Sequence, residues 1–168
     1  MSFVFDDVDR FISGTVGAPG ERAFFIQARY RSRLVTVALE KAQVAALAQR
    51  LEQVINGLKK ADFSFRIENQ SRDDGPLDTP IEPEFEVGAI SMAWDEVDST
   101  MTVELFEITS DEEEAENSLQ VRLGIALCDA FVKRSKALVN SGRLPCPLCA
   151  IPIDPHGHLC PRANGYRR

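Results

Sequence analysis

Residues 41–61, KAQVAALAQRLEQVINGLKKA, constrain the fold more than any other stretch. Ala, Leu, Gln and Glu dominate it, and these residues lose little side-chain freedom in a helix. Val44, Leu47, Leu51, Val54, Ile55 and Leu58 recur at three- and four-residue steps, which makes one apolar stripe. A helix of this kind must bury that stripe against another layer. Gly57 is the expected local stop, and Lys59 and Lys60 suit the negative end of the helix dipole.

The other layer is readable on either side. RFISGTV (10–16), RAFFIQARY (22–30) and RLVTVALE (33–40) precede the helix as β-rich runs, with GAPGE (17–21) as a turn. In the last run Leu34, Thr36 and Ala38 share one face and Val35, Val37 and Leu39 the other, the period of a strand. The second and third runs form a hairpin of undefined turn type, because RSR lacks Gly. After a polar stretch with three prolines (66–83), read as a surface connection, FEVGAISMAWD (85–95) and STMTVELFEIT (99–109) form another hairpin. SDEEEAENS (110–118) is an acidic, solvated loop. LQVRLGI (119–125) is a strand, and ALCDAFVKRSKALVNSG (126–142) a helix with Phe131, Leu138 and Val139 inward.

A shift of 84 residues lays the two halves together. Val35, Val37 and Leu39 then meet Leu119, Val121 and Leu123, and Leu47 meets Phe131. Each half would be three strands followed by a helix. The expected class is therefore α+β: antiparallel sheet built from two possible βββα halves, two packed helices, and a C-terminal zinc knuckle. Residues 1–142 make the domain, with halves 1–61 and 84–142 joined by a linker at 62–83, and 143–168 make the tail. At 168 residues with 44% hydrophobic content the chain can build a real core.

No stretch reaches the roughly 18 uninterrupted apolar residues of a membrane span. The opening MSFVFDDVDR has no basic region followed by an apolar run, so a cytoplasmic protein is expected. The formal net charge of -7 argues against general nucleic-acid binding. It is unevenly spread. From Phe131 onward seven basic residues (Lys133, Arg134, Lys136, Arg143, Arg162, Arg167, Arg168) face one acid, Asp154, which leaves the preceding residues strongly acidic. Those charges either meet an anionic partner or pair with the protein's own acidic face.

CPLCAIPIDPHGHLC (146–160) holds three of the four cysteines and both histidines. Reduced thiols clustered in this way point to metal chemistry in the cytoplasm. Cys146 and Cys149 form one close pair, and Cys160 with His158 or His156 the second. This is the ligand number and type that tetrahedral Zn2+ takes, and the thiolates disfavour Mg2+ or Ca2+. A redox CxxC normally opens a helix after a strand. This one follows a helix and is surrounded by prolines. With four ligands at hand, Asp154 the only carboxylate in the loop, and neither HExxH nor HxE present, a closed structural site is expected over a catalytic one. Cys128 stands apart as a small buried residue, and Trp94 belongs to the core. There is no Walker A, GxGxxG or GxSxG motif.

FDDVDRFISGTVGAPGERAFFIQAR, EFEVGAISMAWD and the ending GRLPCPLCAIPIDPHGHLCPRANGY together resemble an uncharacterised actinobacterial family, known as a domain of unknown function. The resemblance covers nearly the whole chain. The family ending reads CPxCG, then IDPxGHxCPRxNGY, so the resemblance implies Cys146, Cys149, His158 and Cys160 as ligands. Ala150 stands where the family has Gly, and His156 falls at a variable place. Members are often encoded near phosphatase-like and lipid-kinase-like proteins, which implies a partner and names no reaction. The reading is a zinc-binding interaction or adaptor module whose partner is another protein. Arg143, Arg162, Asn164, Tyr166, Arg167 and Arg168 are its candidate partner-binding residues. The alternatives are a nucleic-acid-binding protein using that basic end and a metal-dependent hydrolase.

Overall fold

The computed structural model describes residues 1–18, 21–61, 73–110 and 113–140. Its elements run β1 (Ser2–Phe5), β2 (Arg10–Val16), β3 (Ala23–Tyr30), β4 (Arg33–Leu39), α1 (Lys41–Ala61), β5 (Pro83–Asp95), β6 (Thr100–Glu107), β7 (Ser118–Gly124) and α2 (Ile125–Asn140). The class is α+β: four strands precede the first helix, one more than the expected half, and three precede the second. The helices open at Lys41 and Ile125, the expected offset.

One seven-stranded sheet has the order β1-β7-β6-β5-β4-β3-β2. It is mixed, which corrects the antiparallel expectation: β4 pairs with β5, and β1 with β7, in parallel. The β4–β5 pairing follows from α1, which carries the chain back along the sheet so that β5 starts at the same end as β4. β1 went unanticipated. It has four residues, too few for a period-2 pattern, and its register partner for Ser2 is Ser118.

The sheet curls on itself. Arg33, at the start of β4, donates from Nη1 to the Val4 carbonyl at 2.8 Å, and its guanidinium lies 4.3 Å from the Phe5 ring centroid. In a flat sheet β1 and β4 would be about 19 Å apart, four strand spacings of roughly 4.8 Å. The bend sits in β5. Pro83 and Glu86 pair with β4, whereas Val87 and the residues from Ile90 to Asp95 pair with β6, with a register shift between Val87 and Ile90. Gly88 lies at this irregularity because a Cβ there would stand 2.9 Å from the Ile108 Cα.

α1 is locked to the bend. Glu40 caps the helix: its carbonyl accepts from the Gln43 and Val44 amides at 3.0 and 3.2 Å, and Gln43 Oε1 accepts from the Glu40 amide at 2.7 Å. Gln43 Nε2 donates to the carbonyls of Val87 and Gly88, both at 2.9 Å. The expected stripe is inward: Val44, Leu47, Leu51 and Ile55 are buried in one core with Ile26, Val37, Val103 and Val121. Gly57 is not the helix stop. The helix continues to Ala61, and a Cβ at Gly57 would meet nothing within 4 Å. Gly57→Ala should therefore raise stability by about 0.5–1 kcal/mol in urea unfolding, since Gly is entropically costly inside a helix. A loss would mean that the site is crowded.

α2 packs on β2. The rings of Phe11 and Phe131 stack at 4.8 Å, and the Ser13 and Ser135 hydroxyls share a buried hydrogen bond of 2.7 Å. Cys128 is fully buried on this helix, as expected. The β3–β4 hairpin has a two-residue turn with Arg31 at a φ of 57°, and Asp9 Oδ2 accepts from the Arg31 amide at 2.6 Å. That carboxylate partner offsets the cost of a non-glycine residue in the left-handed region. No helix among the described residues is long and apolar enough to cross a membrane.

Candidate functional site

The expected metal ligands Cys146, Cys149, His158 and Cys160, the alternative His156, and Asp154 lie outside the described residues. So do Arg143, Arg162, Asn164, Tyr166, Arg167 and Arg168. Among the described residues no group of three or more His, Cys, Asp or Glu could hold a metal ion. The remaining cysteine does not compete for one. Burial pushes the Cys128 thiol up to about 12, with a smaller contribution from Asp129, so the thiolate a metal needs is not accessible there.

Three of the seven basic residues counted from Phe131 onward are engaged within the fold. Lys133 pairs with Asp129 one helical turn away at 2.8 Å, and Lys136 reaches Glu52 of α1 at 2.7 Å. Arg134 donates from Nε to the Ser13 carbonyl at 2.6 Å, and from Nη1 to the carbonyls of Asp73 and Gly75 at 2.6 and 2.7 Å. For these three, pairing with the protein's own groups is the reading that holds.

Arg134 leads to the constellation that sequence reasoning missed. The sequence of residues 66–83 reads as a surface connection. Residues 73–78 in fact lie across the face of β2 and β3 that points away from Phe11 and Ser13. Arg10, Ile12 and Gly14 of β2 share that face with Gln27 and Arg29 of β3, by alternation and by the pairs Arg10↔Arg29 and Ile12↔Gln27. Arg10 grips Asp73 with two bonds, Nε to Oδ2 at 2.6 Å and Nη2 to Oδ1 at 3.0 Å. Its Nη1 stands 3.3 Å from Asp78 Oδ2, and Arg29 Nη1 reaches both Asp78 oxygens at 3.0 and 3.1 Å. Gln27 reads the main chain: Nε2 donates to the Asp78 carbonyl at 2.9 Å and Oε1 accepts from the Asp78 amide at 2.8 Å.

Leu77 is the apolar anchor, buried over Gly14. A Cβ on Gly14 would lie 2.4 Å from Leu77 Cδ2, so glycine is what makes room for it. A glycine inside a β-rich run was the one available signal for such a close approach. The arginine–aspartate pairs, more than 45 residues apart in sequence, left none. A cavity of about 50 Å³ opens beside this cluster, between Arg10, Asp73 and Arg134 and the rings of Phe11 and Phe131.

The charges shift as the geometry requires. The hydrogen bonds from Arg10 hold the Asp73 carboxyl below the usual carboxylate range, helped by the Gly75 amide and the field of Arg134 and opposed by partial burial. Bonding to Asp73 raises Arg10 further. A carboxylate depressed in the fold stabilises it above its unfolded pKa, and that contribution fades as the pH falls toward the folded value. In urea unfolding, wild type should exceed Asp73→Asn at pH 7, and the gap should close below about pH 4. A gap independent of pH would separate Asp73 from the charge effect.

Chemically the cluster offers guanidinium groups to carboxylates, a side-chain amide to the main chain of one residue and a notch to one apolar side chain. Neither a curated protein nor a solved structure matches the chain. One family does: its sequence model, described as "Protein of unknown function (DUF3090)", matches residues 3–160. That span takes in the sheet, both helices, the 73–78 segment and the cysteine–histidine cluster as far as Cys160, and the chain belongs to this DUF3090 family.

Proposed function

We propose that this chain is a cytoplasmic zinc-binding protein that acts as an interaction or adaptor module. Its metal site is structural, with Cys146, Cys149, His158 and Cys160 as ligands. The observation that carries the reading is the spacing Cys-x-x-Cys followed by His-x-Cys, inside the residues that the family shares. Cys128, buried with its thiol pushed up, is left out of the ligand set. Zn2+ would organise a segment too short to build its own core. The residues beside it, Arg143, Arg162, Asn164, Tyr166, Arg167 and Arg168, would then be offered to another protein.

The test is metal analysis of protein purified without chelator. About one equivalent of zinc is expected, and less than half an equivalent would count against the site. Cys149→Ser should cut the zinc content by more than half while the far-ultraviolet circular dichroism of the domain is retained. A variant that loses both would make the metal a part of the main core.

A further inference from the structure

We infer that the face of β2 and β3 formed by Arg10, Gly14, Gln27 and Arg29, with Arg134 at its edge, is a recognition site for a short, looped acidic peptide. Residues 73–78 (Asp-Asp-Gly-Pro-Leu-Asp) occupy it in cis and can be exchanged for a partner's segment of the same chemistry. The inference stands independently of the metal.

The grip has the parts of a peptide-binding site. The 73–78 segment forms no strand or helix, and these five residues hold it by side chains and by the glycine notch. Two guanidinium groups take carboxylates five residues apart. Gln27 pairs with both the amide and the carbonyl of Asp78, and Arg134 takes two carbonyls upstream. None of these contacts requires the ligand to be covalently joined to the sheet. The ligand class follows: a looped chain whose carboxylates at the first and sixth positions both reach Arg10, with a leucine-sized side chain at its fifth.

The grip is also of the kind that opens locally. Leu77 is the one apolar side chain of the segment that is buried. The other anchors are the main-chain hydrogen bonds from Gln27 and Arg134 and ion pairs whose Asp73 and Asp78 side chains are 39% and 27% exposed, where salt and water compete. Segments with few buried apolar contacts lie toward the low end of the local stability scale. Attachment within one chain gives a weak grip a high effective concentration, on the order of millimolar. A partner must therefore outcompete the segment or act after it has been displaced.

The experiment uses the full chain and the blocked synthetic peptide Asp-Asp-Gly-Pro-Leu-Asp, titrated at low salt by nuclear magnetic resonance. The variant Asp73→Ala/Leu77→Ala/Asp78→Ala should bind the peptide at least tenfold more tightly than wild type does, with shifts centred on Gln27 and Arg29. Adding Arg29→Ala should weaken that binding tenfold or more. A folded triple variant that binds no better than wild type overturns the inference. If the triple variant does not fold, amide exchange in wild type decides. Exchange of the Asp78 amide through openings insensitive to denaturant supports a releasable segment, and exchange only by global unfolding overturns it.

Discussion

Replacing Arg134 with Met is expected to cost the fold about 3 kcal/mol and to lower Tm by roughly 6–12 °C. The guanidinium makes three bonds of 2.6–2.7 Å to carbonyls of Ser13, Asp73 and Gly75, and its side chain is 12% exposed. Hydrogen bonds to a charged donor contribute about 1.5–3 kcal/mol each in favourable cases, and partial exposure returns some of that to water. Methionine keeps the stem and its packing but leaves the carbonyls without that donor. Arg134→Lys should recover little, because one ammonium cannot reproduce the planar fork that serves Ser13 on one side and the 73–75 backbone on the other. Urea unfolding of the three proteins checks this. A loss below 1 kcal/mol for the Met variant would show that water replaces the fork.

Gly14→Ala is expected to cost about 2–3 kcal/mol for a different reason. The new Cβ would lie 2.4, 2.5 and 2.9 Å from Cδ2, Cγ and Cδ1 of Leu77, so the side chain must leave its place. The cost is the lost burial of Leu77 plus whatever the displaced segment drags with it. Alanine suits a strand better than glycine, so intrinsic propensity opposes this loss and cannot cause it. The diagnostic is a double-mutant cycle. With Leu77→Ala as background the notch is empty and Gly14→Ala should become nearly neutral, a coupling of more than 1 kcal/mol. Additive losses would mean that the strand itself rejects the methyl group.

These two positions mark where sequence reasoning stops. The α1 stripe is a local signal repeated over 21 residues, and the helix follows it past Gly57 to Ala61. β2 is likewise legible from its seven residues. The pairing partners are not. Hairpins β3–β4 and β5–β6 join neighbours, so adjacency implies them, whereas β1 with β7 and β4 with β5 are parallel pairs whose members have no adjacent residues to announce them. Gly57 was misread because a glycine near a helix end has the composition of a stop, yet nothing forces one when the chain can continue in solvent.

The candidate sites divide in the same way. The proposed metal site is a reading of sequence alone, carried by rare ligand types at short spacing, and Cys146 to Cys160 lie outside the described residues. The 73–78 segment is the reverse case. Asp, Gly and Pro read as solvent-facing punctuation, and only the sheet brings Arg10 and Arg29 to meet them. Charged residues that look like surface become a folded contact once their partners come from strands distant in sequence.

The parallel pairing of β1 with β7 has a consequence for the birth of the chain. Ser2–Phe5 leaves the ribosome ahead of every other described element, yet its partner begins at Ser118. At about 5–20 residues per second, the first strand waits on the order of ten seconds for the last. During that time Phe3 and Phe5 have no strand to lie beside, and the meander β2–β3–β4 can form without them. Closure of the sheet is therefore a late step in synthesis, and an early aromatic strand left open that long is a surface for a chaperone to hold.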